Sequence, residues 1–222
     1  TYAEALASGQ YKVSNCAITG IKVFESDIFL TVPRWRTGVP ATLNKLTADG
    51  TLQPFPSWAM NRVDDCEAIQ YVQSMEVDPV RKEMWVVDVG RKYFADPAGP
   101  DNTCPPKVVI LSMPEGSVID KFTLPDSAAS YNNSFLNDIA LNAALQVGYI
   151  SNVGDAAITV FDRKTRQAWR FADASMRKDE SYDITIDGIA YGNNASTGNN
   201  YGGNVDGLRL HQTGREFFTA RS

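Results

Sequence analysis

Met75-Glu76-Val77-Asp78, a polar turn, then Met84-Trp85-Val86-Val87-Asp88 is the stretch whose reading decides the fold. The first half alternates apolar and polar residues, as a half-buried strand does, and the second is an aromatic-rich partner across a hairpin. The pattern returns as Ile139-Ala140-Leu141-Asn142 with Gly148-Tyr149-Ile150-Ser151-Asn152. It returns again as Leu208-Arg209-Leu210-His211 with Glu216-Phe217-Phe218-Thr219-Ala220, the starts being 64 and 69 residues apart. A looser copy occupies residues 21–24 and 28–32 around Glu25-Ser26-Asp27. The pairs beginning at residues 21, 75 and 139 are each followed by another hairpin, with turns at Ala48-Asp49-Gly50, Pro114-Glu115-Gly116 and Asp162-Arg163-Lys164-Thr165. The first two contain residues that tight hairpins require. Four short strands recurring about every 50–70 residues are the blade unit of a β-propeller.

The expected fold class is therefore all-β. Residues 1–222 make one partial propeller domain: three complete blades and the first half of a fourth. Propellers close with roughly 4–8 blades, and three and a half would leave open sheet edges. The remainder is expected on further sequence or on a second polypeptide that completes the ring. Outside the strands, residues 3–7 and 126–131 have room for a turn or two of helix, and residues 191–203, rich in Gly and Asn, read as a mobile loop without a phosphate-cradle motif.

Composition narrows the partners. Apolar residues make up 43% and charged residues 21%, which suits a folded core. With a net charge of −5 and no basic patch, nucleic acid is not an expected partner. No run reaches the roughly 18 apolar residues of a membrane helix, so no membrane partner is expected either. Cys16, Cys66 and Cys104 contain no C-x-x-C, which leaves a zinc site unsupported. Sequons at Asn132 (Asn-Asn-Ser) and Asn194 (Asn-Ala-Ser) lie in polar stretches and point towards secretion.

Several longer runs carry a resemblance. Asp27-Ile28-Phe29-Leu30-Thr31-Val32-Pro33-Arg34-Trp35, Leu52-Gln53-Pro54-Phe55-Pro56-Ser57-Trp58 and Asp64-Asp65-Cys66 are similar to the Yellow / major royal jelly protein family. Met84-Trp85-Val86-Val87-Asp88-Val89-Gly90, Cys104-Pro105-Pro106-Lys107 and Phe135-Leu136-Asn137-Asp138-Ile139-Ala140 continue it in order. The resemblance implies a six-bladed propeller in a secreted protein, and a disulfide between Cys66 and Cys104. Such a bridge contributes roughly 4 kcal/mol in the chain-entropy model. Relatives of this kind variously bind small amines in the central channel, take part in pigmentation, or serve as food or structural glycoproteins.

Catalytic constellations are poor. His211 is the one histidine, there is no G-x-S-x-G elbow, and the expected disulfide uses two of the three cysteines. Carboxylates near strand ends are the richer group: Asp88, Asp138, Asp155, Asp187 and Asp206. Beside the channel such acids suit an ammonium group or Ca²⁺, although strand-end Asp is also a common turn former. Asn137, Asn152 and Tyr149 add hydrogen-bonding groups. Trp35, between Arg34 and Arg36, is the exposed aromatic candidate for a cation, and the two arginines either bind an anion or solvate a loop, whereas Trp85 and Trp169 read as packing between blades. The ligand set is thus Asn137, Asp138, Asn152, Asp88 and Trp35, for a small, partly aromatic molecule, of which a biogenic amine or a pigment-like compound are the classes the resemblance implies. No other cofactor is indicated. An enzyme of dopachrome or lactonase type, and a structural or storage glycoprotein, are the alternatives.

Overall fold

The computed structural model describes residues 1–178, 184–187, 189–191, 204–210 and 217–221. Three four-stranded antiparallel sheets follow one another along the chain, each with its strands in sequence order. The first comprises β1 (Gly20–Phe24), β2 (Asp27–Thr31), β3 (Leu43–Leu46) and β4 (Leu52–Pro54). The second comprises β5 (Val72–Asp78), β6 (Glu83–Asp88), β7 (Lys107–Ser112) and β8 (Val118–Thr123). The third comprises β9 (Leu136–Asn142), β10 (Val147–Asn152), β11 (Ala157–Asp162) and β12 (Gln167–Phe171). Two hairpins complete the described strands: β13 (Ile184–Ile186) with β14 (Ile189–Tyr191), and β15 (Val205–Leu210) with β16 (Phe217–Arg221).

Each sheet pairs only within itself, and the sheets meet face to face. The first strands form the contact line, with β1 beside β5, β5 beside β9, and β9 beside β15. Phe29, Leu43, Phe55, Met75, Met84 and Val109 fill the layer between the first and second sheets. Trp85, Val108, Ile110, Leu136, Ile150 and Phe161 fill the next. With both faces covered, β6 is buried at every position, which explains why its middle, Met84-Trp85-Val86-Val87, is a continuous apolar run instead of an alternation.

This arrangement is a set of propeller-like sheets. The meander also sorts the connections. Hairpins β1–β2, β3–β4 and their counterparts lie at one end of the sheets. The links between second and third strands, and between sheets, lie at the other, which we call the long-loop end. A capped helix, α1 (Tyr2–Ala7), leads in, held by Thr1 and Glu4 in a capping box. The Tyr2 hydroxyl donates to Asn44 Oδ1 of the first sheet at 2.6 Å. Residues 126–131 form turns, with no helix, the Tyr131 amide donating to Asp126 Oδ1 at 2.9 Å.

Several sequence readings need correction. Arg34 is fully buried, not a surface partner for an anion. Its guanidinium donates to the carbonyls of Val39, Pro40, Asn61, Ile69 and Gln70, so one side chain ties three segments together. Trp169 lies on the outermost strand and is 47% exposed, while Trp85 is buried as expected. The hairpin β13–β14 was not legible, because each of its strands has only three residues. His211, Asn194 and nearly all of the Gly/Asn-rich loop lie outside the described residues.

Candidate functional site

The first strands share an irregularity. β5 pairs Val72 with Asp88 and then Met75 with Val86, so two residues, Gln73 and Ser74, oppose the single Val87. β9 repeats this, with Leu136 opposite Asn152 and Ile139 opposite Ile150. So does β15, with Val205 opposite Arg221 and Leu208 opposite Thr219. One extra residue in an antiparallel pair is a β-bulge, which bends the strand and re-aims its side chains. The doublets inside the bulges are Gln73-Ser74, Asn137-Asp138 and Asp206-Gly207. β1 pairs with β2 without a shift, and Thr19 precedes it.

All three doublets and Thr19 line one cleft of about 270 Å³ beside the first strands. Because the bulges sit near the strand starts, the cleft lies towards the long-loop end. Asp138 is its hub. Its Oδ1 accepts from the Ser74 hydroxyl at 3.0 Å, and its Oδ2 from the Leu208 amide at 3.0 Å. One carboxylate therefore links the second sheet, the third sheet and β15. The Asn137 carboxamide donates to Asp206 Oδ1. The Thr31 hydroxyl donates to the Gln73 carbonyl at 2.9 Å and joins the first sheet to the belt. Among the described residues its lining carries two carboxylates, Asp138 and Asp206, and no cationic side chain, a lining whose oxygens suit a positive guest.

Among the expected ligand residues, only Asn137 and Asp138 come together here. Asp88 is 0% exposed. It accepts from the amides of Gln70 (2.8 Å), Tyr71 (2.9 Å) and Gly90 (2.9 Å) and pairs with buried Lys107 at 2.7 Å. Asn152, also 0% exposed, accepts from the Phe135 and Asp155 amides, each at 3.2 Å. Both hold the incoming chain onto its sheet, and neither faces a guest. Trp35 is half-buried against a cluster containing Tyr71, Phe94 and Phe135, so its ring is a packing surface. Asp155 pairs with Arg170 at 3.3 Å. Burial opposes its charge, but bonds from Ser130, Asn133 and Asn152 outweigh this and hold its carboxyl below the usual carboxylate range.

Sequence reasoning missed Thr19, Gln73, Ser74 and Gly207. A signal was present: a polar doublet, or Asp-Gly, directly precedes each apolar repeat at Met75, Ile139 and Leu208. Calcium suits the lining poorly. It takes roughly six to eight oxygen ligands, and the Asp138 oxygens already accept from Ser74 and Leu208. Among the described residues no group of three or more His, Cys, Asp or Glu is placed to hold a metal.

A wider cleft of about 820 Å³ lies between α1, residues 37–40 and residues 58–64. Lys12 and Glu4 line it, and Arg62 pairs with Asp64 at 3.2 Å on its rim. The disulfide between Cys66 and Cys104 spans 5.2 Å between Cα atoms and ties the approach to β5 to the β6–β7 loop. Cys16 is free and half-buried.

Consecutive four-stranded sheets, packed along their first strands around an acidic cleft, define an all-β, propeller-like protein. The particular family follows from the sequence: the profile described as major royal jelly protein matches residues 70–203, and the chain belongs to that family. Protein yellow of Drosophila melanogaster is 29% identical over 179 residues, covering 76% of this chain and 32% of the fly protein. Protein yellow of Drosophila madeirensis is 29% identical over the same length, covering 31% of its own. The chain thus spans about a third of the curated relatives it matches. Among solved structures, a Bacteroides caccae protein of unknown function is similar at 11% identity and a TM-score of 0.45, covering 78% of this chain and 50% of that one. That likeness is too low to carry an argument.

Proposed function

We propose that this chain forms part of a secreted propeller that binds a small, partly aromatic amine at the mouth of its channel. The observation that carries the reading is the set of successive bulges, which bring the carboxylates of Asp138 and Asp206 into one cleft with Asn137, Gln73 and Ser74. An ammonium gains most from such a lining, because carboxylates and carbonyls accept its protons while the acidic field offsets its lost hydration. A neutral pigment gains little there, so the amine is the favoured ligand class. The disulfide supports an oxidising, extracellular setting, and no described helix is long and apolar enough to cross a membrane.

In this reading the ring has six blades, of which residues 1–222 supply three and the start of a fourth. Two exposed apolar faces support it: Ile21 and Val23 on β1, at 61% and 60% exposure, and Trp169 and Phe171 on β12, at 47% and 50%. Such faces suit burial by further sheets, whether carried on the same polypeptide or a second one.

The test is calorimetric titration of the full protein with phenethylamine and with its uncharged alcohol analogue. Binding of the amine, with at least tenfold loss in Asp138→Asn, is the expected result. Equal binding of the alcohol would overturn the cation reading, and steady consumption of the amine would replace binding with catalysis.

A further inference from the structure

The loop after β6 holds an arginine that the fold does not use. Arg34, Arg62, Arg81, Arg163 and Arg166 each donate to an oxygen of the chain. Arg91 is half-buried, yet its guanidinium has no acceptor among the described residues, and its Nε is covered. Burial, with no carboxylate to offset it, holds that guanidinium below the ordinary arginine value. A polar group buried without a partner costs stability, so its presence calls for a cause outside the packing. The backbone is fixed on both sides of it. Gly90, at φ +70°, packs so closely that a Cβ there would lie 2.5 Å from the carbonyl oxygen of Cys104, a member of the disulfide. Lys92 exchanges backbone hydrogen bonds with Asp101 at 3.0 and 2.9 Å and pairs with its carboxylate at 2.7 Å. Arg91 is thus held on a rigid support with its donors uncommitted, the arrangement that a preformed binding group requires.

The guanidinium lies over the Phe94 ring, 4.6 Å from its centroid. Phe94 in turn meets Tyr71 at 5.2 Å and Phe135 at 5.1 Å, both edge-on. The Tyr71 hydroxyl donates to Gln73 Oε1 at 3.0 Å, and Gln73 lines the bulge cleft, so the ring cluster and the cleft are neighbours. With Nε covered, the two Nη groups are the edge left for an incoming pair of oxygens. That planar fork matches a carboxylate bidentately, and the half-buried Phe94 and Phe135 beside it suit a flat apolar body. We propose that Arg91 and the Phe94 and Phe135 rings form a second binding position, separate from the amine cleft, that takes the carboxylate of a small aryl acid.

The test is a ligand-observed NMR titration of the full protein with phenylacetate, its uncharged amide and ringless acetate. Phenylacetate is expected to bind, and both analogues to bind roughly tenfold more weakly or worse, the size of one lost charge-assisted contact. Arg91→Gln is expected to weaken phenylacetate by a similar factor, and Arg91→Lys, which keeps the charge without the fork, by less. Both variants are expected to melt with the parent, because the side chain donates to no described residue. Absence of phenylacetate binding, equal binding of the amide or of acetate, or unchanged affinity in Arg91→Gln would each overturn the proposal. A marked fall in melting temperature in both variants would also overturn it, by giving the guanidinium a structural role. None of these outcomes bears on the amine reading, which the phenethylamine titration decides.

Discussion

The second and third sheets are built to one plan and secured by different chemistry. Both run four antiparallel strands in order, both carry the bulge, and both end their second strand with a side chain that receives amides of the incoming segment. In the second sheet that side chain is Asp88, opposite Lys107. In the third it is Asn152, opposite Ala157. The carboxylate comes with a buried cation, and the carboxamide comes with none. Capturing amides needs only an acceptor oxygen. The charge is an addition that must be neutralised where water cannot reach. The second sheet also carries the disulfide and a long connection after β6, whereas the third turns from β10 to β11 within residues 153–156.

The strongest way to break the comparison is Lys107→Ala. It leaves Asp88 buried and unpaired, and the expected loss is about 3–5 kcal/mol in urea unfolding. Adding Asp88→Asn converts the site to the Asn/Ala pairing of the third sheet and is expected to restore most of that loss. A double variant as unstable as the single one would mean that the two sheets are not interchangeable at this position. Next in size, Cys66→Ser with Cys104→Ser removes a clamp that the third sheet lacks, at an expected cost of about 2–4 kcal/mol by the same measurement. Unchanged stability would show that the β6–β7 loop is held by its other contacts.

The smallest effect concerns acid. The Asp155 carboxyl is held below the usual carboxylate range, so it stabilises the third sheet above its unfolded-state value and loses that contribution as the pH falls through its folded one. Amide exchange in β10 and β11 is expected to quicken below about pH 4, near the ordinary Asp value, and Asp155→Asn is expected to flatten that dependence. The same acid response in the variant would assign the effect to another carboxyl.

The repeat was legible because each sheet advertises itself in alternation and turn residues. Where the alternation stops, so did the reading. The segments beginning at Met75, Ile139 and Leu208 start at the first residue after each bulge, while the strands begin three residues earlier at Val72, Leu136 and Val205. The bulge that builds the cleft is also what broke the two-residue period. Asn137 and Asp138 were found because they are polar residues beside a strand. Asp88 and Asn152 satisfied the same criterion and went inward, since strand-end polarity does not distinguish a group meant for backbone amides from one meant for a guest. Arg34 was misread because an arginine among loop residues looks solvated until five carbonyls are seen to converge on it.

The bulged doublets have a consequence for how such a protein changes over time. Each lines the cleft with two residues from a position outside the regular alternation that packs the sheets. Exchanging a doublet alters what the cleft recognises while leaving the apolar layers and strand register in place. Recognition can therefore drift one sheet at a time, in steps of two residues, without the scaffold having to be rediscovered at each step.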